Sequence, residues 1–154
     1  MSKFPAAAIV ILSLVLSGCA TVWTDGLNLA QRAKPPEGQH EIELLAGIAG
    51  RLAERDGCVG LERDYGDGPF FTTIVWPWNV ELRGNRADWS LMNTITGERF
   101  APGDTVIGGG GSFSVETDTE LRRMNRGLAR NIAPACARFG AASLNKDFRK
   151  GLPS

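Results

Sequence analysis

Histidine is nearly missing from this chain, since His40 is the single one among 154 residues. A Ser-His-Asp triad or a Cys-His pair would depend on that one residue, and zinc sites that need several histidines are excluded. The three cysteines include no Cys-x-x-Cys pair, so a structural zinc is not expected either. We therefore predict a protein that is not an enzyme, holds no metal and carries no cofactor.

A phosphate-binding glycine motif is also missing. Gly108 to Gly111 form a run of four glycines, but no Lys-Ser/Thr pair follows it and its spacing is not Gly-x-Gly-x-x-Gly. Glycines at the end of a strand permit positive φ and close backbone approach, as a barrel corner requires. We expect the run to serve that structural purpose and not to bind a nucleotide.

The N-terminal apolar run is too short to cross a bilayer as a helix. The run from Ala6 to Leu16 has 11 residues, whereas a spanning helix needs about 20. It follows Lys3 and stops at the small residues Ser17 and Gly18, as the hydrophobic part of a secretory signal does. The pattern predicts an export signal over residues 1–18.

The four residues Leu16-Ser17-Gly18-Cys19 resemble the lipobox of bacterial lipoproteins. In that family the cysteine receives a diacylglyceryl group, a signal peptidase cuts before it, and the new amino group is acylated, typically with palmitate. The resemblance implies that Cys19 is the acylated first residue of the mature protein, anchored stably in membrane lipid by several acyl chains. Ala20 resembles the outer-membrane sorting pattern, which implies the periplasmic face of the outer membrane, or otherwise the cell membrane.

The other two cysteines form an even pair once Cys19 is assigned to lipid. An exported protein folds in an oxidising compartment, where paired cysteines form disulfides. We predict a disulfide between Cys58 and Cys136, with two separate buried thiols as the alternative. Closing a loop of this length would stabilise the fold by about 4.5 kcal/mol.

Charge is balanced along the chain. There are 17 basic and 17 acidic residues, and removal of Lys3 with the signal peptide leaves 16 basic residues and a net charge of −1. This balance argues against a nucleic-acid partner and against a basic surface for anionic lipid headgroups.

The composition divides the mature chain into three parts. Residues 19–40 are rich in turn signals and are predicted to be a lipidated flexible tether. Residues 41–140 are predicted to form a small β-rich periplasmic domain, and residues 141–154 a frayed tail.

Asp56-Gly57 is a strong signal for a two-residue hairpin turn. It would place Leu52 opposite Leu61 and Glu54 opposite Val59, which puts apolar residues on one shared face. Strands are therefore predicted over residues 48–55 and 58–63, and further strands over 70–76, 89–93, 99–100 and 105–107.

A helix is predicted over about residues 117–139. Thr117 and Glu120 have the spacing of a capping box, and an apolar stripe continues to Ile132, with Pro134 expected to kink or restart the helix. The fold class is thus α+β, mainly β: a small rolled sheet or barrel of OB-like size, with about five or six short antiparallel strands and a C-terminal helix.

The segment from Gly50 to Gly111 is similar to a pattern in exported bacterial proteins to which we can assign no activity. The matching residues are Gly50-x-Leu52, Gly57-Cys58, Val75-Trp76-Pro77, Gly103-Asp104 and the glycine run. This resemblance implies a small β-rich domain and nothing about chemistry.

Trp76, Trp78 and Trp89, near Phe70 and Phe71, form the aromatic cluster with the clearest binding potential. Exposed aromatic platforms bind sugar rings or apolar partners, whereas aromatic residues of strands are more often core. Both interpretations remain open from the sequence.

Six acidic residues could supply the carboxylate pair that glycoside hydrolysis needs. Nearly all of them lie in predicted turns, where Asp commonly bonds its own backbone. We therefore favour turn formation over catalysis for Asp64, Asp67, Glu81, Asp88, Glu98 and Asp104.

The sequence therefore predicts a membrane-anchored lipoprotein of the cell envelope that acts as a non-catalytic structural or interaction module. Its expected partners are membrane lipid, through acylated Cys19, and an envelope protein or peptidoglycan. The alternative is a module that binds glycan or a small apolar ligand through Trp76, Trp78 and Trp89.

Overall fold

The structure is a computed structural model that describes residues 26–152. The predicted signal peptide over residues 1–18 and the predicted lipid attachment at Cys19 lie outside the described residues. The elements are, in chain order, β1 (Gln31–Arg32), β2 (Ala46–Arg55), β3 (Cys58–Asp64), β4 (Pro69–Val75), β5 (Val80–Asn85), β6 (Asp88–Asn93), β7 (Arg99–Phe100), β8 (Thr105–Phe113), α1 (Asp118–Asn125), β9 (Leu128–Arg130), α2 (Pro134–Ala137), β10 (Ala141–Leu144) and β11 (Arg149–Lys150).

Five strands close into a barrel in the order β4-β3-β2-β8-β10, with β10 returning to β4. This confirms the predicted class, a mainly β fold built on a small barrel with helical structure near the C-terminus. One pairing differs from the all-antiparallel expectation, because β10 runs parallel to β4. The long connection between them contains β5 to β9 and both helices. It brings the chain back in the same direction as β4, which is what a parallel pair requires.

The β2–β3 hairpin has the register that the sequence predicts. Leu52 lies opposite Leu61 and Glu54 opposite Val59. Asp56 and its neighbour Gly57 both have positive φ, 54° and 83°, as a two-residue turn of this type requires. The hairpin prediction is therefore confirmed, with both strands slightly longer than expected.

Alternate positions on the barrel strands point inward and form one hydrophobic cluster. On β2 the inward residues include Ile48 and Leu52, and on β3 they include Val59 and Leu61, all of them buried. This period of two follows directly from the pleat of a strand.

Aromatic side chains fill the end of the barrel where β4 finishes and β8 begins. The ring centre of Phe148 lies 5.8 Å from that of Trp76 and 5.1 Å from that of Phe100. Trp89 on β6 belongs to the same cluster. We call this the plugged end, defined by Trp76, Trp89, Phe100 and Phe148.

Strand β5 is an element that the sequence did not predict. Gly84-Asn85 is a turn-forming pair, but β5 includes both residues and pairs with β6 along its length. The turn follows at once, and the Asn85 Oδ1 accepts hydrogen bonds from the backbone N–H groups of Ala87 (2.9 Å) and Asp88 (3.1 Å). The asparagine therefore stabilises the turn that directly follows β5.

The glycine run lies inside β8 and does not form a corner with positive φ. The run instead allows the backbones of β8 and β10 to approach closely, since a Cβ on Gly110 would lie 2.2 Å from the carbonyl oxygen of Ser143 on β10. The predicted positive φ was wrong, and the predicted close backbone contact is confirmed.

The single helix predicted over about residues 117–139 was wrong. The capping box of Thr117 and Glu120 does begin a helix, but α1 stops after eight residues and the chain passes through β9 before α2. The side chain of Asn125 bonds both backbone groups of Ile132, and Pro134 has no N–H to continue a helix. Within the described residues, neither helix has the length and apolar character to cross a bilayer.

The disulfide between Cys58 and Cys136 is present, which confirms the predicted pair. It joins the start of β3 to α2 across a Cα–Cα distance of 5.6 Å. Around it a second hydrophobic cluster, which includes Phe71, Leu121 and Ile132, packs α1 and α2 against the outside of the barrel.

The predicted tether over residues 19–40 is docked over part of its length. Residues 27–31 are buried, and the backbone of Ala30 accepts a hydrogen bond from the N–H of Trp76 at 2.9 Å. The Gln31 amide donates to the carbonyl of Val80 at 2.7 Å. This segment is too short to show a recurring apolar face, which is why the sequence pattern indicated a linker.

The tail predicted over residues 141–154 also belongs to the fold. It supplies β10, which closes the barrel, and β11, which pairs with β8. Phe148 between them is buried in the plugged end. Since four residues of β10 carry little pattern of their own, only the long-range pairing identifies them as a strand.

Candidate functional site

The three tryptophans do not form a surface platform. Trp76 and Trp89 are buried in the barrel cluster, with exposed fractions of 0 % and 6 %. Trp78 is half-buried, and the Lys34 ammonium lies 5.1 Å from its ring centre. The core alternative is therefore correct for Trp76 and Trp89, and of the three only Trp78 keeps an accessible surface.

The remaining candidates also lie apart. His40 is exposed on the loop before β2, while Cys58 and Cys136 are joined to each other. Among residues 26–152 no three His, Cys, Asp or Glu side chains lie close enough together to hold a metal ion.

The end of the barrel opposite the plugged end is open. Here β2, β4 and β10 begin and β3 and β8 finish, and their residues surround a cavity of about 480 Å³. We call this the barrel mouth, defined by six of its lining residues: Ile48, Arg63, Tyr65, Phe70, Phe113 and Phe139.

Large apolar side chains are exposed at the barrel mouth. Tyr65 is 68 % exposed, and Phe70 and Phe113 are exposed beside it. The ring centres of Tyr65 and Phe70 are 5.3 Å apart. Leu45, next to a lining residue of the cavity, is 97 % exposed. The mouth is thus a place where several apolar groups face solvent together.

Arg63 lies at the inner side of the barrel mouth and is only 9 % exposed. Its Nε donates to the carbonyl oxygen of Ala49 at 3.1 Å, and its guanidinium lies 5.2 Å from the ring centre of Tyr65 and 6.0 Å from that of Phe70. No carboxylate in the part of the chain that the structure describes lies within 4.0 Å of it.

A small residue makes room for this arginine. A Cβ on Gly50 of β2 would lie 2.9 Å from the Cγ of Arg63. The stem of Arg63 therefore crosses the backbone of β2 at a point where only glycine fits, and the guanidinium is held at the rim of the hydrophobic interior.

The chemistry of the barrel mouth favours binding. Its described lining contains no histidine, thiol or carboxylate, and its polar side chains are those of Arg63, Tyr65, Thr72 and Ser112. Apolar walls with one cation and the hydroxyl groups of Thr72 and Ser112 match the composition of small-ligand sites, which are mostly apolar with few polar groups.

A second depression lies beside α1 and β9, with a volume of about 530 Å³. Its lining is polar and largely exposed, and consists of Thr119, Arg122, Asn125, Arg126 and Asn131. Its two arginines are exposed, and side chains of that length lose much rotamer freedom when a ligand fixes them.

Sequence reasoning missed most of the barrel mouth. Phe70 was noted only as a neighbour of the tryptophans, and no binding role was predicted for Tyr65. A usable signal was present in β3, where Val59, Leu61 and Arg63 fall on alternate positions, so that a charge continues an inward-facing row.

Comparison of the chain with protein-family models, with curated proteins and with solved structures gives no match. Function is therefore inferred from the geometry of the barrel mouth and from the sequence pattern at the N-terminus. These two features concern separate questions, namely what the domain binds and where the protein is held.

Proposed function

We propose that this protein is a lipid-anchored, non-catalytic binding module of the cell envelope, and that the barrel mouth is its binding surface. The anchor is Cys19, in the position that the lipobox resemblance implies. The disulfide in the folded domain agrees with an oxidising compartment such as the periplasm. The outer membrane is the favoured location because Ala20 follows the cysteine.

The observation that carries the binding role is the concentration of exposed apolar groups at one end of the barrel. Tyr65, Phe70 and Phe113 all line the same cavity. Contiguous exposed apolar surface is uncommon on monomeric proteins and marks binding sites. The four aromatic residues that define the plugged end are all buried, so the exposure at the mouth is selective.

The anchored domain would stay close to the membrane. Only six residues lie between Cys19 and Gly26, the first described residue, and the seven Cα-to-Cα steps of a fully extended chain reach about 24 Å. A partner at the barrel mouth would therefore be met near the membrane surface.

The anchor is tested by Cys19→Ala. In cells fed labelled palmitate, the wild-type chain should incorporate the label and fractionate with membranes, and the variant should do neither. Labelling of the variant equal to the wild type would refute lipidation at this residue.

The binding role is tested by photo-crosslinking in intact cells. A photoreactive phenylalanine analogue at Tyr65 or Phe113 should give a discrete crosslinked product. The matched control is Ile95, which is also apolar and exposed but lies outside the barrel mouth. Equal crosslinking at Ile95, or none at either mouth position, would contradict the assignment.

The alternative of a small-ligand module moves from the tryptophans to the barrel mouth. Burial removes Trp76 and Trp89 from any stacking platform, whereas the volume of the mouth, about 480 Å³, lies within the range of small-molecule sites. The specific observation in its favour is the arginine at the base of that cavity.

A further inference from the structure

We propose that the barrel mouth selects ligands that combine an apolar body with one carboxylate, and that Arg63 is the group that binds the carboxylate. This inference rests on the proposed function, because it names the class of ligand for the same surface. It assigns a specificity-determining role to a residue that pairs with no acid among residues 26–152.

The first step of the argument is the electrostatic situation of Arg63. Arg63 as a residue is only 9 % exposed, and no described carboxylate balances its charge within 4.0 Å. A buried charge is costly unless it is paired or hydrogen-bonded. The rings of Tyr65 and Phe70 and the carbonyl of Ala49 stabilise it in part. An incoming anion would complete the pairing.

The second step is the direction of the remaining donors. The Nε of Arg63 is already used by Ala49, at 3.1 Å, and within the described residues the two Nη groups make no hydrogen bond. Because Arg63 lines the cavity, these groups are the donors that a ligand meets. Two parallel N–H groups on a planar guanidinium match the two oxygens of a carboxylate.

The third step is the position of the apolar walls around that cation. Ile48 lies at the barrel side, and Tyr65, Phe70 and Phe113 lie toward solvent. A ligand whose carboxylate reaches Arg63 must lay its remaining atoms along these rings. Such a molecule gains from apolar burial and from the ion pair at once, and a purely polar anion gains only from the second.

The site is held in shape by its surroundings. Gly50 leaves the space that the Arg63 stem occupies, since any Cβ there would lie 2.9 Å from the Cγ of Arg63. Phe70 is the direct cross-strand partner of Arg63. A cation positioned by two rigid strands loses little freedom when a ligand binds, which favours affinity.

The test is calorimetric binding with the chain from Ala20 onward, which contains every residue of both hydrophobic clusters. The probes are two matched pairs: decanoate against decanol, and acetyl-Phe-Phe with a free carboxylate against its amide. The pairs distinguish two sources of the same chemistry, a fatty acid and a peptide end. In at least one pair the acid should bind at least tenfold more tightly than its neutral partner.

Arg63→Met should remove that preference and leave binding of the neutral probe unchanged, while Arg63→Lys should keep part of it. The matched control is Arg99→Met, an exposed arginine on β7 that is also without a carboxylate within 4.0 Å among the described residues. It should bind like the wild type. Thermal melting verifies that each variant folds, and if Arg63→Met does not, the comparison of wild type with Arg63→Lys decides.

Equal affinity of acid and neutral probes for the wild type would overturn the role of Arg63 and leave the barrel mouth as a binding surface. An acid preference that survives Arg63→Met would also overturn it. If no probe binds the wild type, the ligand class is wrong, and the crosslinking experiment at Tyr65 and Phe113 then decides separately whether the mouth binds anything.

Discussion

The two ends of the barrel use aromatic residues in opposite ways. At the plugged end Trp76, Phe100 and Phe148 are almost fully buried, while at the barrel mouth Tyr65 and Phe113 face solvent. The difference arises from what the chain places over each end. The β5–β6–β7 sheet and the segment before β11 bring Trp89, Phe100 and Phe148 to the plugged end. The turn between α2 and β10 brings Phe139 to the mouth but leaves Tyr65 and Phe113 exposed. Aromatic content alone therefore does not identify a binding site, because the covering of each end decides.

We call the segment that contains α1, β9 and α2 the outer layer, which packs on the outside of the barrel. Its Cys136 is joined to Cys58 at the start of β3, and Phe139, which follows α2, lines the mouth. Replacing Cys58 and Cys136 by alanine should lower the free energy of unfolding by about 4.5 kcal/mol, because the unfolded chain regains the entropy of a loop that spans 78 positions. Denaturant unfolding measures this change, and reduction of the wild type should reproduce it. A loss below about 1 kcal/mol would show that the disulfide does not support the outer layer.

Phe148→Ala and Phe113→Ala compare the two ends directly. The first should destabilise the fold by about 3 to 4 kcal/mol, since it leaves a cavity in the plugged end. The second should change stability by no more than about 0.5 kcal/mol, because Phe113 is exposed. Thermal and urea unfolding provide both values. Similar losses from the two variants would remove the distinction between the ends.

The docked segment before β1 should contribute an intermediate effect. Asn28 donates to the carbonyl of Asn131 at 3.1 Å and accepts from the N–H of Ala133 at 3.2 Å. Asn28→Ala should cost about 2 kcal/mol, because two partly buried backbone groups lose their partners. Exposed Gln39 provides the control, and Gln39→Ala should be neutral. Hydrogen exchange at the N–H of Ala133, which donates to Asn28, should rise in the first variant alone, and unchanged exchange there would argue against docking.

The smallest effect concerns the ion pair near the plugged end. The Lys150 ammonium, 2.8 Å from the Asp104 carboxylate, is the main cause that lowers the pKa of Asp104 below its ordinary value. Since the folded pKa is lower than the unfolded one, the stabilisation is present at neutral pH and is lost as the pH falls through the folded pKa.

Asp104→Asn should therefore cost up to about 1 kcal/mol at pH 7, and the difference from wild type should disappear in acid, below the ordinary pKa of 3.8. Urea unfolding at a series of pH values measures it. A difference that is constant with pH would mean that the asparagine acts through packing and not through charge.

Local patterns predicted local structure well. The Asp56-Gly57 turn set the register of β2 and β3, and the capping box of Thr117 placed the start of α1. Both signals act over two to four residues, where backbone sterics and side-chain hydrogen bonds are strong enough to decide the conformation. The end of the helix was missed because it depends on hydrogen bonds between the side chain of Asn125 and the backbone of Ile132, a contact that no periodic pattern shows.

Cysteine counting reached further than any other sequence argument. The pairing of Cys58 with Cys136 follows from compartment and parity, and the structure contains it. The lipobox resemblance on which that parity depends concerns Cys19, and remains a prediction. Long-range contacts without such a chemical marker, for example that between β10 and β4, could not be predicted.

By itself the amino-acid sequence predicted the mainly β class, the hairpin and the disulfide, all of which the structure contains. The address that the lipobox resemblance implies stays a prediction. Only the tertiary structure decided that Trp76 and Trp89 are core, and that Arg63, Tyr65 and Phe113 meet around one cavity. The physical reason is that burial depends on which distant segments cover a surface. Side-chain chemistry and local periodicity determine how a segment folds, but they do not specify which end of a closed barrel the rest of the chain leaves open.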